Sequence, residues 1–397
     1  MDDITPDRSS SLVLDFTSVG PDSGGVGVVA SGIATGLADN GIAFTILTNE
    51  RLGDEWSARH PAFAPHLRRV SISLDSTSSW QNKLRRRLPR NALTQWFIGH
   101  VRRIRTKSVG NAIIGDVVWA PFHRSPIAGD RTVVTVHDLR VFEPDLASSM
   151  DQRIIADNLD KAAAVVCSWP HPYRSAVERF PNVAHKIFLV PLPVLNPGPP
   201  VPRSPDRRGL RLLLPAYVTP HKNQEAVIRA LALRPDWRVV FTGSEDRSYG
   251  DFLRALAEDL GVSHQVEWKG FVSAEELEEA YRETDLLVMP TRWEAASGPL
   301  YEAIVRELPF VASDIPPIKA QLASLGLQAE TFPWDDPQAL VAAVDRTVEH
   351  YPDHVEQLRR VAPRLRSRTW GQTAQEYDRV FRWAAGDAAK PSDLQIG

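Results

Sequence analysis

Cysteine is nearly absent. Cys167 is the sole one in 397 residues, which excludes an internal disulfide framework and any cysteine-rich metal centre. It sits in an apolar run, residues 162–168, and reads as a core residue. No apolar run reaches the roughly 20 residues that a membrane-spanning helix needs. The longest, such as residues 285–290, have the length of a strand. The first residues, Met-Asp-Asp-Ile-Thr-Pro-Asp, are acidic and polar where a secretory leader needs a basic and then an apolar segment. These absences together point to the cytoplasm. Metal-ligand spacing is missing as well: there is no His-x-x-His pair and no Asp-x-Asp at a strand end, so no metal site is expected. Neither a G-x-S-x-G elbow nor a P-loop occurs. A net charge of −3 argues against general nucleic-acid binding.

What is present is the rhythm of an α/β protein. The length exceeds what one hydrophobic core ordinarily serves, so two domains are expected. Short β-branched runs alternate with segments of helical periodicity, the pattern of parallel α/β units. Strands are expected at residues 12–16, 43–48, 69–73, 116–119, 132–137, 163–168 and 186–190, and again at 211–214, 238–242, 265–269, 285–289 and 310–313. Between the two sets the prolines crowd too densely for a helix or a central strand. The expected organisation is a first Rossmann-like domain over residues 1–192, a proline-rich linker at 193–208 and a second Rossmann-like domain at 209–370. A helix at 371–387, able to cross back to the first domain, and a flexible tail at 388–397 complete it. Two such domains imply a cleft between them. Nine lysines and arginines between Lys83 and Lys107 interleave with Leu84, Leu88, Trp96, Phe97 and Ile98. This segment is either a solvated helix face or a peripheral contact with an anionic membrane, here the inner face.

In parallel α/β domains ligands gather at the carboxyl ends of strands. Residues 285–303 contain the strongest such feature. A buried strand ends near Pro290, a polar loop carries Glu294, and a helix opens around Ser297, Gly298 and Pro299, with Leu300 and Glu302 in its first turns. Free backbone amides at a helix start attract phosphate oxygens without a metal. The two carboxylates lie eight positions apart, and ionised carboxylates accept hydrogen bonds only, which suits a hydroxyl-rich ligand. Read blandly, Glu302 favours the helix dipole and Glu294 is solvated. After the strand at 211–214 comes Pro-His-Lys-Asn, where Lys222 can neutralise a diphosphate as it opens a helix. In the first half His137 and Asp138 end a strand, Asp138 either orienting the imidazole or capping the next turn; His123 is a weaker candidate for acceptor contact. The glycine-rich stretch around Gly25 opens a long helix. It reads either as a phosphate-approaching loop or, with Glu50, as a dinucleotide fingerprint, although residues 17–23 set it too far from its strand for the latter.

The Glu294-to-Glu302 spacing resembles the E-x7-E signature of retaining GT-B glycosyltransferases, the glycogen-synthase-like and mannosyltransferase-like "group 1" family, and the resemblance extends over most of the chain. It implies the GT-B fold, with Glu302 on the nucleotide ribose and Glu294 on hydroxyls of the donor sugar. Pro-His-Lys-Asn is similar to a variant in mannosyltransferase-like relatives, which puts Lys222 on the pyrophosphate. By the same resemblance His137 contacts the donor sugar, Gly25 and Gly243 approach the donor, and the backbone of Phe271 and Val272 reads the base. Two departures stand out. Ala295, Ala296 and Ser297 replace the family's Gly-Phe-Gly, and Val218 and Thr219 stand where many relatives have an arginine nearby.

The expected function is therefore metal-independent, retaining transfer of a sugar from a GDP- or UDP-linked donor, a mannose-type donor favoured, to a saccharide or glycolipid acceptor, with no cofactor. The alternatives are a non-catalytic nucleotide-sugar-binding protein or partner subunit of the same fold, a sugar-nucleotide epimerase and a nicotinamide-dependent oxidoreductase.

Overall fold

The computed structural model describes residues 11–70, 116–123, 129–143, 146, 148–201 and 209–396. The basic segment from Lys83 to Lys107, with its expected membrane contact, lies outside the described residues. The chain divides into two compact units: Met1–Leu192 with Thr369–Gly397, and Pro193–Arg368.

The first unit is built on seven parallel strands: β1 (Leu12–Asp15), β2 (Phe44–Asn49), β3 (Leu67–Val70), β4 (Val117–Ala120), β5 (Thr132–Val136), β6 (Ala164–Cys167) and β7 (Ile187–Leu189), in the order β3-β2-β1-β4-β5-β6-β7. Strands such as β5 and β6 are buried at every residue. Their valine-rich runs are what a sheet covered on both faces requires. The chain starts at β1, winds out to β3, and returns to β4 on the other side of β1. That reversal is the topological switch point of a doubly wound sheet.

The helix Trp370–Ala385 belongs to this unit, although some 180 residues separate it from Leu192. It lies on the helix Gly24–Asp39 at two glycines: a Cβ at Gly32 would stand 2.3 Å from the Trp370 ring, and one at Gly36 would stand 2.4 Å from the Trp370 carbonyl oxygen. Tyr377 reaches the sheet, its hydroxyl 3.1 Å from Thr135 Oγ1, which also accepts from Trp119 Nε1 at 2.9 Å. The last ten residues need a correction. They are not a loose tail over residues 388–396, because Leu394 is buried and the Tyr173 hydroxyl both donates to Ile396 O and accepts from Ile396 N, each at 3.0 Å. Leu394, the Tyr173 hydroxyl 223 positions away, the Arg379–Asp393 pair and Gln395 Nε2, which donates to Ile187 O at 2.9 Å, hold them. Composition alone shows none of these.

The second unit repeats the plan with six parallel strands: β8 (Arg211–Pro215), β9 (Arg238–Thr242), β10 (Val266–Gly270), β11 (Leu286–Met289), β12 (Phe310–Ser313) and β13 (Thr331–Phe332), in the order β10-β9-β8-β11-β12-β13. Its switch point lies between β8 and β11. β13, only two residues long, carries too little pattern to be foreseen. The described part of the linker is fastened to this unit: Val201 N donates to Arg306 O at 2.7 Å, and Arg306 donates to Asn196 O at 2.9 Å. Both units are thus Rossmann-like, and the fold is α/β throughout. Among the described residues no helix is long and apolar enough to cross a membrane.

Candidate active site

Because β8 and β11 are neighbours at the switch point, the loops that leave their carboxyl ends must meet. They are stitched together by main-chain acceptors. Asn223, in the left-handed region at φ 59°, donates from Nδ2 to Pro290 O at 2.9 Å and to Trp334 O at 2.7 Å. Thr291 Oγ1 and Arg292 N both donate to His221 O, at 3.0 and 2.8 Å. This frame brings Lys222 and Glu294 into contact, with Lys222 Nζ donating to Glu294 Oε1. Their side chains are only 15% and 10% exposed, so solvent screens the pair little. Arg292, the other cation of these loops, is already engaged: it donates to Asn223 Oδ1 at 3.2 Å and lies 5.0 Å from the Trp334 ring centre.

Four residues beyond Glu294 the helix Gly298–Val305 begins. Ser297 is its N-cap, yet its side chain caps nothing. The Ser297 hydroxyl is fully buried and has no hydrogen-bond partner among the described residues. The Ser297 amide was expected among the phosphate donors; it donates instead to Gln321 Oε1 at 2.8 Å, while Gln321 Nε2 donates to Ser297 O at 3.0 Å. What the helix start offers a ligand is therefore the first-turn amides of Gly298 and Leu300, Pro299 having no N–H, with the buried Ser297 hydroxyl beside them at the N-cap. Uncapped amides plus the helix dipole form an anion site.

Glu302 projects from the same helix. Tyr281, on the helix Ala274–Arg282, donates its hydroxyl to Glu302 Oε2 at 2.9 Å. Burial holds the Glu302 carboxyl above the ordinary carboxylate range, opposed by the Tyr281 hydroxyl and the Arg306 guanidinium and reinforced by Glu278. Arg306 is itself fully buried, bonded to Glu278 Oε2 and lying 4.2 Å from the Tyr281 ring centre. Glu302 thus keeps one oxygen on Tyr281. Neither Tyr281, Gln321 nor Arg306 is visible as a site residue in the sequence, because each lies on, or caps, a helix whose apolar periodicity reads as core.

Past β9 and β10 is a cavity of about 320 Å³, lined in part by Gly243, Trp268, Gly270 and Phe271. Gly243 has φ +98°, and a Cβ there would stand 2.7 Å from Ala216 O, so only glycine fits. Phe271 is 80% exposed, and Val272 follows it on the same loop.

In the first unit His137 follows β5. Its Nε2 faces Pro121 O at 2.9 Å and its Nδ1 faces Ser168 Oγ at 2.9 Å. A carbonyl can only accept, so Nε2 carries the proton and Nδ1 accepts from the serine. Burial lowers the imidazole below its ordinary 6.5, against the Pro121 bond and the Asp138 charge, which favour protonation. Asp138 serves the next turn, accepting from Arg140 N at 3.3 Å. His123 is buried, with its carbonyl accepting from Asn158 Nδ2 at 2.9 Å. Gly25, the second residue of the helix Gly24–Asp39, faces open space, and Glu50 stands exposed at the start of the helix Glu50–Arg59. Cys167 is buried, and burial pushes its thiol up, which makes it inert. Among the described residues no three His, Cys, Asp or Glu side chains converge as a metal site would need.

Known proteins share this architecture. Sucrose-phosphate synthase from Thermosynechococcus elongatus superposes with a TM-score of 0.66 at 16% identity, covering 96% of this chain and 100% of that one. The Anabaena protein HepE, solved with UDP and glucose, gives 0.65 at 14% identity, covering 93% and 98%. At such identities the likeness shows the fold alone, and that fold is GT-B. Residues 209–364 match the family described as Glycosyl transferases group 1, so the second unit is a group 1 glycosyltransferase domain. An uncharacterised glycosyltransferase of Methanocaldococcus jannaschii is 32% identical over 107 residues, 26% of this chain and 27% of that one. The chain thus matches about a quarter of the length of its curated relatives.

Proposed function

We propose that this protein transfers a sugar from a nucleotide diphosphate sugar to a saccharide or glycolipid acceptor, with retention of anomeric configuration and without a metal ion. The observation that carries this reading is the uncapped start of the helix Gly298–Val305, with the buried, unpartnered Ser297 hydroxyl. It is flanked in sequence by Glu294 and Glu302 at the E-x7-E spacing. The donor diphosphate sits on the Gly298 and Leu300 amides and on Lys222, whose charge does the work of a divalent cation. Glu302 accepts from the ribose hydroxyls, and Glu294 from hydroxyls of the sugar. The base enters the cavity beside Gly243, with the backbone of Phe271 and Val272 as its reader.

In the transfer, the bond between the anomeric carbon and the diphosphate oxygen breaks as the acceptor oxygen bonds to that carbon on the same face. The acceptor proton goes to the departing phosphate oxygen. No protein nucleophile is needed, and orientation of the sugar by Glu294 supplies rate. Mannose-type donors are favoured by the mannosyltransferase-like Pro-His-Lys-Asn turn.

Thermal stability in the presence of UDP, GDP, ADP, UDP-glucose, GDP-mannose, NAD and NADPH, each with and without EDTA, tests the reading. A ligand at a hundred times its dissociation constant stabilises the fold by about 2.7 kcal/mol. Stabilisation by one nucleoside diphosphate and its sugar, indifferent to EDTA, is expected. Stabilisation by NAD or NADPH alone would overturn it, and binding without sugar transfer to any acceptor would leave a nucleotide-sugar-binding protein.

A further inference from the structure

We propose that the Lys222–Glu294 ion pair makes the site discriminate between an intact nucleotide sugar and the nucleoside diphosphate left after transfer, and so drives product release; this rests on the donor reading above. The pair is nearly enclosed, at 15% and 10% exposure, and charge-assisted bonds in such surroundings are strong and weakly screened. Lys222 is thus not a free cation waiting for phosphate. A bare diphosphate reaches it only by displacing or sharing the Glu294 carboxylate.

A donor that still carries its sugar changes the exchange. Its hydroxyls are donors, and an ionised carboxylate can only accept. Glu294 turns to them and leaves Lys222 to the phosphates, so both charges stay satisfied. After transfer those hydroxyls depart on the acceptor. Glu294 returns to Lys222 and competes with the remaining diphosphate. Arg292 cannot relax this competition, because Asn223 and Glu225 already hold it.

The test is calorimetric titration of UDP, UDP-glucose, GDP and GDP-mannose into the full chain as wild type, Glu294→Gln, Lys222→Gln and the double variant. Glutamine keeps the size of the side chain and removes its charge. The expected result is that Glu294→Gln binds the bare diphosphate about tenfold more tightly, the worth of one charge-assisted bond, while the nucleotide sugar gains nothing. The preference for intact donor then falls by about tenfold or more. With Lys222 already replaced, Glu294→Gln should shift diphosphate affinity far less, which is the coupling that a double-mutant cycle isolates. Unchanged or weaker diphosphate binding by Glu294→Gln overturns the proposal. So does a gain that persists without Lys222, since that would be simple repulsion. If the wild type binds none of the four ligands, the donor reading falls and takes this proposal with it. A normal melting temperature for Glu294→Gln separates these outcomes from misfolding.

Discussion

The Tyr281 hydroxyl donates to Glu302 Oε2 at 2.9 Å, linking the helix before β11 to the helix after it. This bond is one of the opposing influences on the charge state of Glu302. Burial favours the neutral acid, while the Tyr281 O–H and the Arg306 guanidinium favour the carboxylate. The balance leaves the carboxyl raised.

Two opposite pH dependences follow from that raised carboxyl. Folded protein keeps a proton that the unfolded chain has lost, so the contribution to stability is complete below the ordinary value of 4.5 and is lost as pH rises through the folded value. Ribose hydroxyls need the ionised form, so nucleotide binding should fail as pH falls through that same value. Tyr281→Phe removes a donor to the carboxylate, so its binding limb should move to higher pH and its affinity at fixed pH should weaken by about 1–3 kcal/mol. Dissociation constants measured across pH 4–8 for wild type and Tyr281→Phe check this. A limb that stays in place in the variant means that Glu302 is not the titrating group. Melting curves of Glu302→Gln over the same range should lack the wild type's loss of stability with rising pH.

Ser297→Ala separates folding from binding at the helix start. The hydroxyl is buried with no partner among the described residues, and an unsatisfied buried hydroxyl costs about 1–3 kcal/mol. Its removal should leave the empty protein as stable as wild type or slightly more so. Diphosphate affinity should nevertheless fall. Urea unfolding and nucleotide titration of one preparation give both numbers, and a clear loss of stability would show that the hydroxyl is already satisfied.

The positions of Lys222 and Glu294 after strands, and of Glu302 on the helix that follows, can be read from where a β-branched run stops. The contact of Lys222 with Glu294 cannot, since the adjacency of β8 and β11 is a matter of strand order, which no local pattern states. Gln321 and Tyr281 lie 24 and 21 residues from the groups they hold, on helices whose alternation reports only burial. Gly32 and Gly36 are, by propensity, weak positions inside a helix. The tryptophan that needs their missing side chains is Trp370, far along the chain. Contacts of long sequence separation escape periodicity, and in this fold they place the C-terminal helix, the last residues and the partners of Ser297 and Glu302.

Gly243→Ala should destabilise the second unit by about 1–3 kcal/mol from backbone strain, because φ +98° lies outside the range that a side chain tolerates. The added Cβ also meets Ala216 O at 2.7 Å, so β9's exit must shift away from β8. The cavity beside it changes shape, and nucleotide affinity should fall further than stability alone explains. Titration at a temperature where the variant remains folded checks this, and unaltered affinity would remove the cavity from the base-binding role.

His137 is the residue for which site geometry and expectation pull apart most. Both ring nitrogens are engaged within the first unit, Nε2 on Pro121 O and Nδ1 on Ser168 Oγ, so neither has a free proton or lone pair to give a ligand without releasing a partner. The folded imidazole titrates below 6.5. The unfolded chain therefore takes up a proton first as pH falls. Stability contributed by neutral His137 is complete above about 6.5 and is lost as pH drops from there towards the folded value. Nitrogen-detected NMR should find the Nε2–H tautomer at neutral pH and a midpoint displaced to acid. His137→Ala should lower turnover more than affinity for the bare nucleotide, since Lys222, Ser297 and Glu302 all belong to the other unit. Equal losses in turnover and affinity, together with a lowered melting temperature, would make His137 a purely structural brace between β4, β5 and β6.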